Sequence, residues 1–337
     1  MRTLIALGVI YNKTRDKILV ARRPSGTSHG GFWEFPGGKQ LPGEKNYQTL
    51  IRELREELSL TIESAIPLIT IDHDYPDSSV TLNVWKVNSW HGDVKGNEGQ
   101  RIEWVTLETL GKKRFPAANR PIITSVRLPH LYLITPDLHT YNERYLKDLD
   151  IVLKSGVSLL QFRSNKSTKS HREKILIETI KTCNRYSCRV IVNDTPEAIK
   201  ASGYEGVHIT SRRLLELKKR PLPSQYWVAA SCHNEKELDH ACDIGIDFAV
   251  LAPVGITKSH PGHKPLGWMK FSQMVRRATI PVYALGGMNI EDLKIARENG
   301  GQGISLIRAI WDAQDKERIV KRILDQDGSV ETGTVLI

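Results

Sequence analysis

The chain has 337 residues, is 40% hydrophobic, and sets 48 Lys and Arg against 38 Asp and Glu for a net charge of +10. At about 150 residues per domain, that length predicts two domains. A mean hydropathy of −0.33 suits well-cored globular units and excludes a disordered chain, and no apolar run reaches the roughly 18 uncharged residues of a membrane span. Four cysteines, Cys183, Cys188, Cys232 and Cys242, form no paired CxxC motifs, which argues against a structural zinc site. Few cysteines and no export signal at the start predict a reducing, cytoplasmic setting. The positive charge is spread evenly: residues 1–128 carry 18 basic and 14 acidic side chains, the remainder 30 and 24. The short basic clusters at Lys112–Arg114 and Lys218–Arg220 lack interleaved aromatics, which argues against stable nucleic-acid binding and for small polyanionic ligands.

In chain order, Leu4–Ile10 and Lys17–Arg22 read as strands joined by a turn-rich segment. A Gly-, Ser- and Pro-rich loop follows from Pro24 to Gly31. Asn46–Leu58 is the clearest helix, with Tyr47, Leu50, Ile51, Leu54 and Leu58 forming an apolar stripe at spacings of three and four. Strands are expected at Leu68–Ile71 and Ser79–Val87, then a polar turn over His91–Gly99. This is an α+β pattern over residues 1–128, with a linker at Phe115–Pro129.

From His130 the rhythm changes. Eight short apolar runs alternate with helix-period segments: His130–Thr135, Leu159–Arg163, Arg189–Asn193, Gly206–Thr210, Tyr226–Ser231, Phe248–Pro253, Pro281–Gly286 and Gly303–Ile307. Eight strands separated by helices predict a (β/α)8 TIM barrel over residues 129–315. A polar helix and mobile tail complete the chain over 316–337, the tail beginning at Asp327.

The chemistry of the first domain concentrates on its helix. Glu53, Glu56 and Glu57 stand at i, i+3 and i+4, on one face of one turn. Carboxylates so close repel unless a cation lies among them, and hard divalent ions take oxygen ligands shared with substrate phosphates. The wider spacing, Gly38-x5-Glu44-x7-Arg52-Glu53-Leu54-x-Glu56-Glu57-x-Ser59-Leu60, resembles the Nudix box. Ser59 departs from it, because the box ends in Gly; a serine in left-handed geometry at a helix C-terminus costs about 1 kcal/mol. Trp33–Lys39 and Phe115–Ile122 are further similar to MutT-type Nudix hydrolases.

That resemblance implies a mixed-sheet Nudix fold and an 8-oxo-dGTP diphosphatase that cleans the nucleotide pool, releasing nucleoside monophosphate and pyrophosphate. It implies Mg2+ or Mn2+ held by Glu53, Glu56, Glu57, Glu98 and the Gly37 carbonyl, with Glu98 a candidate base and Glu44 orienting Arg52. It places Arg23, Glu34, Phe35 and Asn119 at the nucleotide, an amide being able to donate and accept at once on a purine edge.

Active sites of such barrels lie at the C-terminal strand ends. Those ends carry Gln161, Arg163, Asn193, Asp194, Ser231, His233, Lys258, Gly286 and Gly287. With Leu131–Thr135, Gly206-Val207-His208 and Ala284-x-Gly286-Gly287-Met288, they resemble the thiamine-phosphate synthase/TenI superfamily and imply a phosphorylated thiamine-related or thiazole ligand. Departures weigh against synthase chemistry. Arg213 stands where the resemblance expects a Mg2+-binding acid, leaving Asp194 as a lone ligand, and Arg308 replaces a serine of the phosphate loop. Besides the nucleotide diphosphatase, two readings stay open: a bifunctional thiamine-salvage enzyme hydrolysing a thiamine-related pyrophosphate, and a non-catalytic barrel that regulates the first domain.

Overall fold

The computed structural model describes residues 2–26, 30–136, 138, 143–164, 168–201, 204–257 and 264–328. The chain divides into two compact units, meeting in sequence between Arg127 and Leu128.

The first unit holds seven strands among its described residues: β1 (Thr3–Ile10), β2 (Lys17–Arg22), β3 (Trp33–Glu34), β4 (Gly37–Lys39), β5 (Thr61–Tyr75), β6 (Ser78–His91) and β7 (Arg101–Thr106). They form a four-stranded sheet in the order β4-β1-β6-β5 and a three-stranded sheet in the order β3-β2-β7. The larger sheet is mixed, since β1 runs parallel to β6 and antiparallel to β4. Strand alternation sorts β1 onto two faces. Ala6 and Ile10 join Leu50, Leu54 and Leu58 of α1 (Asn46–Leu58) in one core. Leu7 and Val9 join Phe35, Ala118 and Ile122 in another. Each leucine so buried contributes about 1.5–3 kcal/mol.

Two short helices complete the unit, α2 (Leu107–Leu110) and α3 (Arg120–Arg127). The segment expected to be a linker, Phe115–Pro129, is instead a 3-10 turn at Ala117–Asn119 running into α3, with Ala118, Ile122 and Ser125 buried. Pro121 suits a first helical turn, where its missing N–H has no partner to lose. The expected strand at Leu68–Ile71 is the middle of the 15-residue β5.

The second unit is a closed barrel of eight parallel strands: β8 (Leu131–Ile134), β9 (Leu159–Phe162), β10 (Arg189–Asn193), β11 (Gly206–Ile209), β12 (Trp227–Cys232), β13 (Phe248–Leu251), β14 (Val282–Ala284) and β15 (Gly303–Leu306). Each strand pairs in parallel with both neighbours, and β15 closes onto β8. The interior is packed. Tyr132 meets Phe248 at 5.3 Å and Tyr283 at 5.6 Å between ring centroids, in tilted and edge-on arrangements. The final helix runs from Lys316 to Gly328 and buries Val320 and Ile323. It therefore extends past Asp327, where the tail was expected to begin, and residues 329–337 lie outside the described set.

Candidate functional sites

The first site is built on α1, whose inner face packs the core while its outer face carries the charges. Glu44 and Arg52 form a bidentate pair, Nε to Oε1 at 2.8 Å and Nη2 to Oε2 at 3.0 Å. That pairing holds the Glu44 carboxyl down at about 2, with the Leu41 N–H and Thr49 hydroxyl adding to it. Arg52 also donates from Nη1 to Glu53 at 2.8 Å and to Glu56 at 3.1 Å, and from Nη2 to the Lys39 carbonyl at 3.1 Å. One guanidinium thus fixes Glu53 and Glu56 and ties α1 to the end of β4.

Glu57 differs from its neighbours. It is only 8% exposed, and burial pushes its carboxyl up to about 8, aided by the charges of Glu34, Glu98 and Glu53 and opposed by a 2.8 Å hydrogen bond from the Gly37 N–H. The two glycines before α1 are required by sterics. A Cβ on Gly38 would lie 2.3 Å from the Glu53 carboxylate, and Gly37, at φ +136°, would drive one to 2.1 Å from the Ala6 carbonyl.

Among the described residues, no three His, Cys, Asp or Glu side chains already converge to hold a metal ion. The donor set nevertheless fits a hard divalent cation. Glu53, Glu57 and Glu98 offer only oxygens, burial and then the charges of neighbouring acids make Glu57 reluctant to ionise, and Gly38 leaves a cradle that any side chain would fill. Arg52 and the Gly37 N–H each engage one carboxylate oxygen of these acids, leaving the other free to ligate.

The residues expected at the nucleotide adjoin this cluster. Arg23 pairs with Glu34 at 3.1 Å. Glu34, half-sheltered, has its carboxyl raised by burial and by Glu98, against the pull of Arg23. Tyr75 senses the same Arg23 charge and hydrogen-bonds the Ala118 backbone, which leads to Asn119. Asn119 is 7% exposed, and its Oδ1 is buried without a hydrogen-bond partner. Tyr75 had no signal in the sequence, because its place depends on the β5–β6 register. The Phe35 ring is 1% exposed and stacked on Phe115 at 5.5 Å, so its side chain builds the core.

In the barrel, the expected residues do gather at the C-terminal rim, where described. Ser231 Oγ and His208 Nε2 are hydrogen-bonded at 2.8 Å, and His208 Nδ1 lies 3.3 Å from the Tyr132 hydroxyl. Burial, then the Arg163 charge, pulls the His208 imidazole down to about 3, so it is neutral. Gln161 is buried at 3% exposure. The Arg163 N–H donates to the Thr135 hydroxyl at 2.8 Å, and His233 Nδ1 lies 2.7 Å from the Ala252 carbonyl. Gly286 and Gly287, at φ +101° and +70°, turn the chain against Pro253 and Ile256. Lys258 lies outside the described residues.

Asp194, expected among the ligand-binding residues of the rim, is paired with Arg172 at 2.7 Å and accepts the Thr195 N–H at 2.7 Å. Arg172 also donates to the Asn193 carbonyl at 3.2 Å. With Thr210, Arg212, Arg213 and Glu216, these residues line a cavity of about 660 Å³. Arg172 and Arg212 are paired with Asp194 and Glu216, so the lining carries one excess positive charge, which favours an anion.

Residues 6–125 match the family model described as the NUDIX domain, and residues 131–310 that of thiamine monophosphate synthase. Over 123 residues the chain is 37% identical to the 8-oxo-dGTP diphosphatase of Escherichia coli (strain K12), a stretch covering 36% of this chain and 95% of that protein. It is 40% identical over 95 residues to the 8-oxo-dGTP diphosphatase of Proteus vulgaris, covering 28% and 84%. The later residues are 26% identical over 196 positions to the thiamine-phosphate synthase of Fusobacterium nucleatum subsp. nucleatum, covering 58% of this chain and 95% of that one. Among the described residues, no helix is long and apolar enough to cross a membrane.

Proposed function

The chain belongs to the Nudix family over residues 6–125 and to the thiamine monophosphate synthase family over residues 131–310, and from that premise we propose that its first unit hydrolyses 8-oxo-dGTP to 8-oxo-dGMP and pyrophosphate. The carrying observation is the unpartnered, buried Oδ1 of Asn119, at one end of a run of side chains that leads through Tyr75, Arg23 and Glu34 to the acidic helix. A buried acceptor without a donor is costly unless a ligand supplies one. Oxidation at C8 of guanine turns N7 from an acceptor into an N–H donor, the group this oxygen lacks.

Glu53, Glu56, Glu57 and Glu98, with the Gly37 carbonyl, would hold Mg2+ or Mn2+, which when bound neutralises the triphosphate and acidifies water. The protein's own groups set the stage. Glu44 fixes Arg52, Arg52 fixes Glu53 and Glu56, and Gly37 fixes Glu57. Glu98 is the candidate to take a proton from the attacking water as the bond between the α- and β-phosphates breaks. Glu53, Glu56 and Glu57 are thereby held in place before substrate arrives.

The barrel, in this reading, binds a small phosphorylated, thiamine-related ligand at its rim, and its cationic cavity does so without a metal. Turnover with Mg2+, read as pyrophosphate release from 8-oxo-dGTP and dGTP and as orthophosphate release from thiamine-related pyrophosphates, tests the first unit. The expected result is a preference for 8-oxo-dGTP. Faster turnover of a thiamine-related pyrophosphate would replace the nucleotide reading with a bifunctional salvage enzyme.

A further inference from the structure

We propose that Ser59 and Asn97 form a positioning latch that hangs Glu98 from the C-terminus of the acidic helix. The proposal rests on the reading of Glu98 as a catalytic group. An α-helix ends with four carbonyls that lack partners, and here each acceptor near the end of α1 is filled. Leu54 and Arg55 accept from the N–H groups of Leu60 and Ser59, in the turn that left-handed Ser59 (φ 60°) creates. The carbonyls of the next three residues are met by the segment that carries Glu98. Glu56 accepts from Asn97 Nδ2 at 2.8 Å and Leu58 from the Lys95 N–H at 3.1 Å. Glu57 accepts from the Asn97 N–H at 3.0 Å and from Gln100 Nε2 at 3.2 Å. Gln100 in turn accepts the Glu98 N–H at 2.9 Å. Glu98 is thus suspended between two residues that both grip the backbone of Glu57.

Ser59 completes this arrangement through its side chain. Asn97 Nδ2 donates to Ser59 Oγ at 2.9 Å, and the two side-chain oxygens lie 3.3 Å apart. A glycine at position 59 would relieve the backbone but offer nothing to Asn97. The hydroxyl therefore has a use that offsets the unfavourable φ. It holds the Asn97 amide where that amide also reaches Glu56, and so fixes where Glu98 stands relative to Glu57, whose carboxyl already senses the Glu98 charge. Ser59 and Asn97 touch no reacting atom, and they act only through Glu98.

Backbone strain and the latch are separable by substitution. Ser59→Ala removes the hydroxyl and keeps the strained φ, whereas Ser59→Gly removes both. The latch predicts that kcat for pyrophosphate release from 8-oxo-dGTP falls about 3- to 10-fold in both variants, with KM unchanged, the range expected for one lost hydrogen bond. Thermal melting should meanwhile separate them, Ser59→Gly melting a few degrees above Ser59→Ala. Asn97→Ala should lower kcat at least as far, and adding Ser59→Ala to it should cost nothing more. Glu98→Gln, measured alongside, keeps the two ideas apart. If it lowers kcat while both Ser59 variants keep wild-type kcat, or if kcat follows melting temperature, the latch is wrong. If Glu98→Gln itself leaves kcat unchanged, the role of Glu98 falls, and the latch with it.

Discussion

Glu53 and Glu57 occupy the same helical face, yet their surroundings assign them different work. Glu53 lies in the cradle left by Gly38 under the hand of Arg52, while Glu57 is buried and braced by the Gly37 N–H. Glu53→Gln and Glu57→Gln should each lower turnover by two orders of magnitude or more, about 3 kcal/mol of transition-state stabilisation, in a pyrophosphate-release assay. Unchanged turnover in either would remove that residue from the metal site. Asn119→Ala should instead raise KM for 8-oxo-dGTP about 10-fold and leave dGTP nearly untouched, because it deletes a base contact rather than a charge. The Glu44–Arg52 pair was legible in the sequence because motif spacing places both ends. Phe35 and Tyr75 were not, since whether a ring faces the core or the ligand is decided by strand register and by a partner such as Phe115 far along the chain.

At the level of elements, α1 couples folding to chemistry. Leu54 is fully buried against β1, within one turn of Glu53, Glu56 and Glu57. Leu54→Ala should destabilise the first unit by about 2–5 kcal/mol in denaturant unfolding. A value within a few tenths of wild type would show that this face is not the core. The sequence predicts α1 to the residue because apolar spacing and the turn at Ser59 agree. It does not predict β3 and β4, at two and three residues too short to carry a pattern. It misreads α3 as a linker because the helix is only eight residues long with a proline in its first turn, and only packing on β5 shows the segment to be part of the fold.

For the molecule as a whole, the barrel was legible from its count of eight strands, each a short apolar run with a polar end. Its interior chemistry was not. His208 is buried neutral between Tyr132 and Ser231, its imidazole pulled down to about 3. Unfolding releases it to about 6.5, so between those values the unfolded chain binds more protons. Barrel stability from this group is therefore complete above about pH 6.5 and declines as pH falls toward 3, by up to about 1.4 kcal/mol per pH unit. Melting curves from pH 7 to pH 4 should show a steeper decline for the wild type than for His208→Gln. Parallel declines would mean that another group controls acid stability.

The Arg172–Asp194 pair has a practical consequence. Chelation can act as a chemical scalpel on the intact chain. Stripping divalent ions with EDTA should abolish pyrophosphate release at the first unit, while inorganic pyrophosphate titrated onto the barrel by calorimetry should bind as before, since an arginine already occupies the carboxylate a metal would need. Binding of pyrophosphate only when Mg2+ is restored, and lost in Arg213→Ala, would show that Asp194 can let go of Arg172.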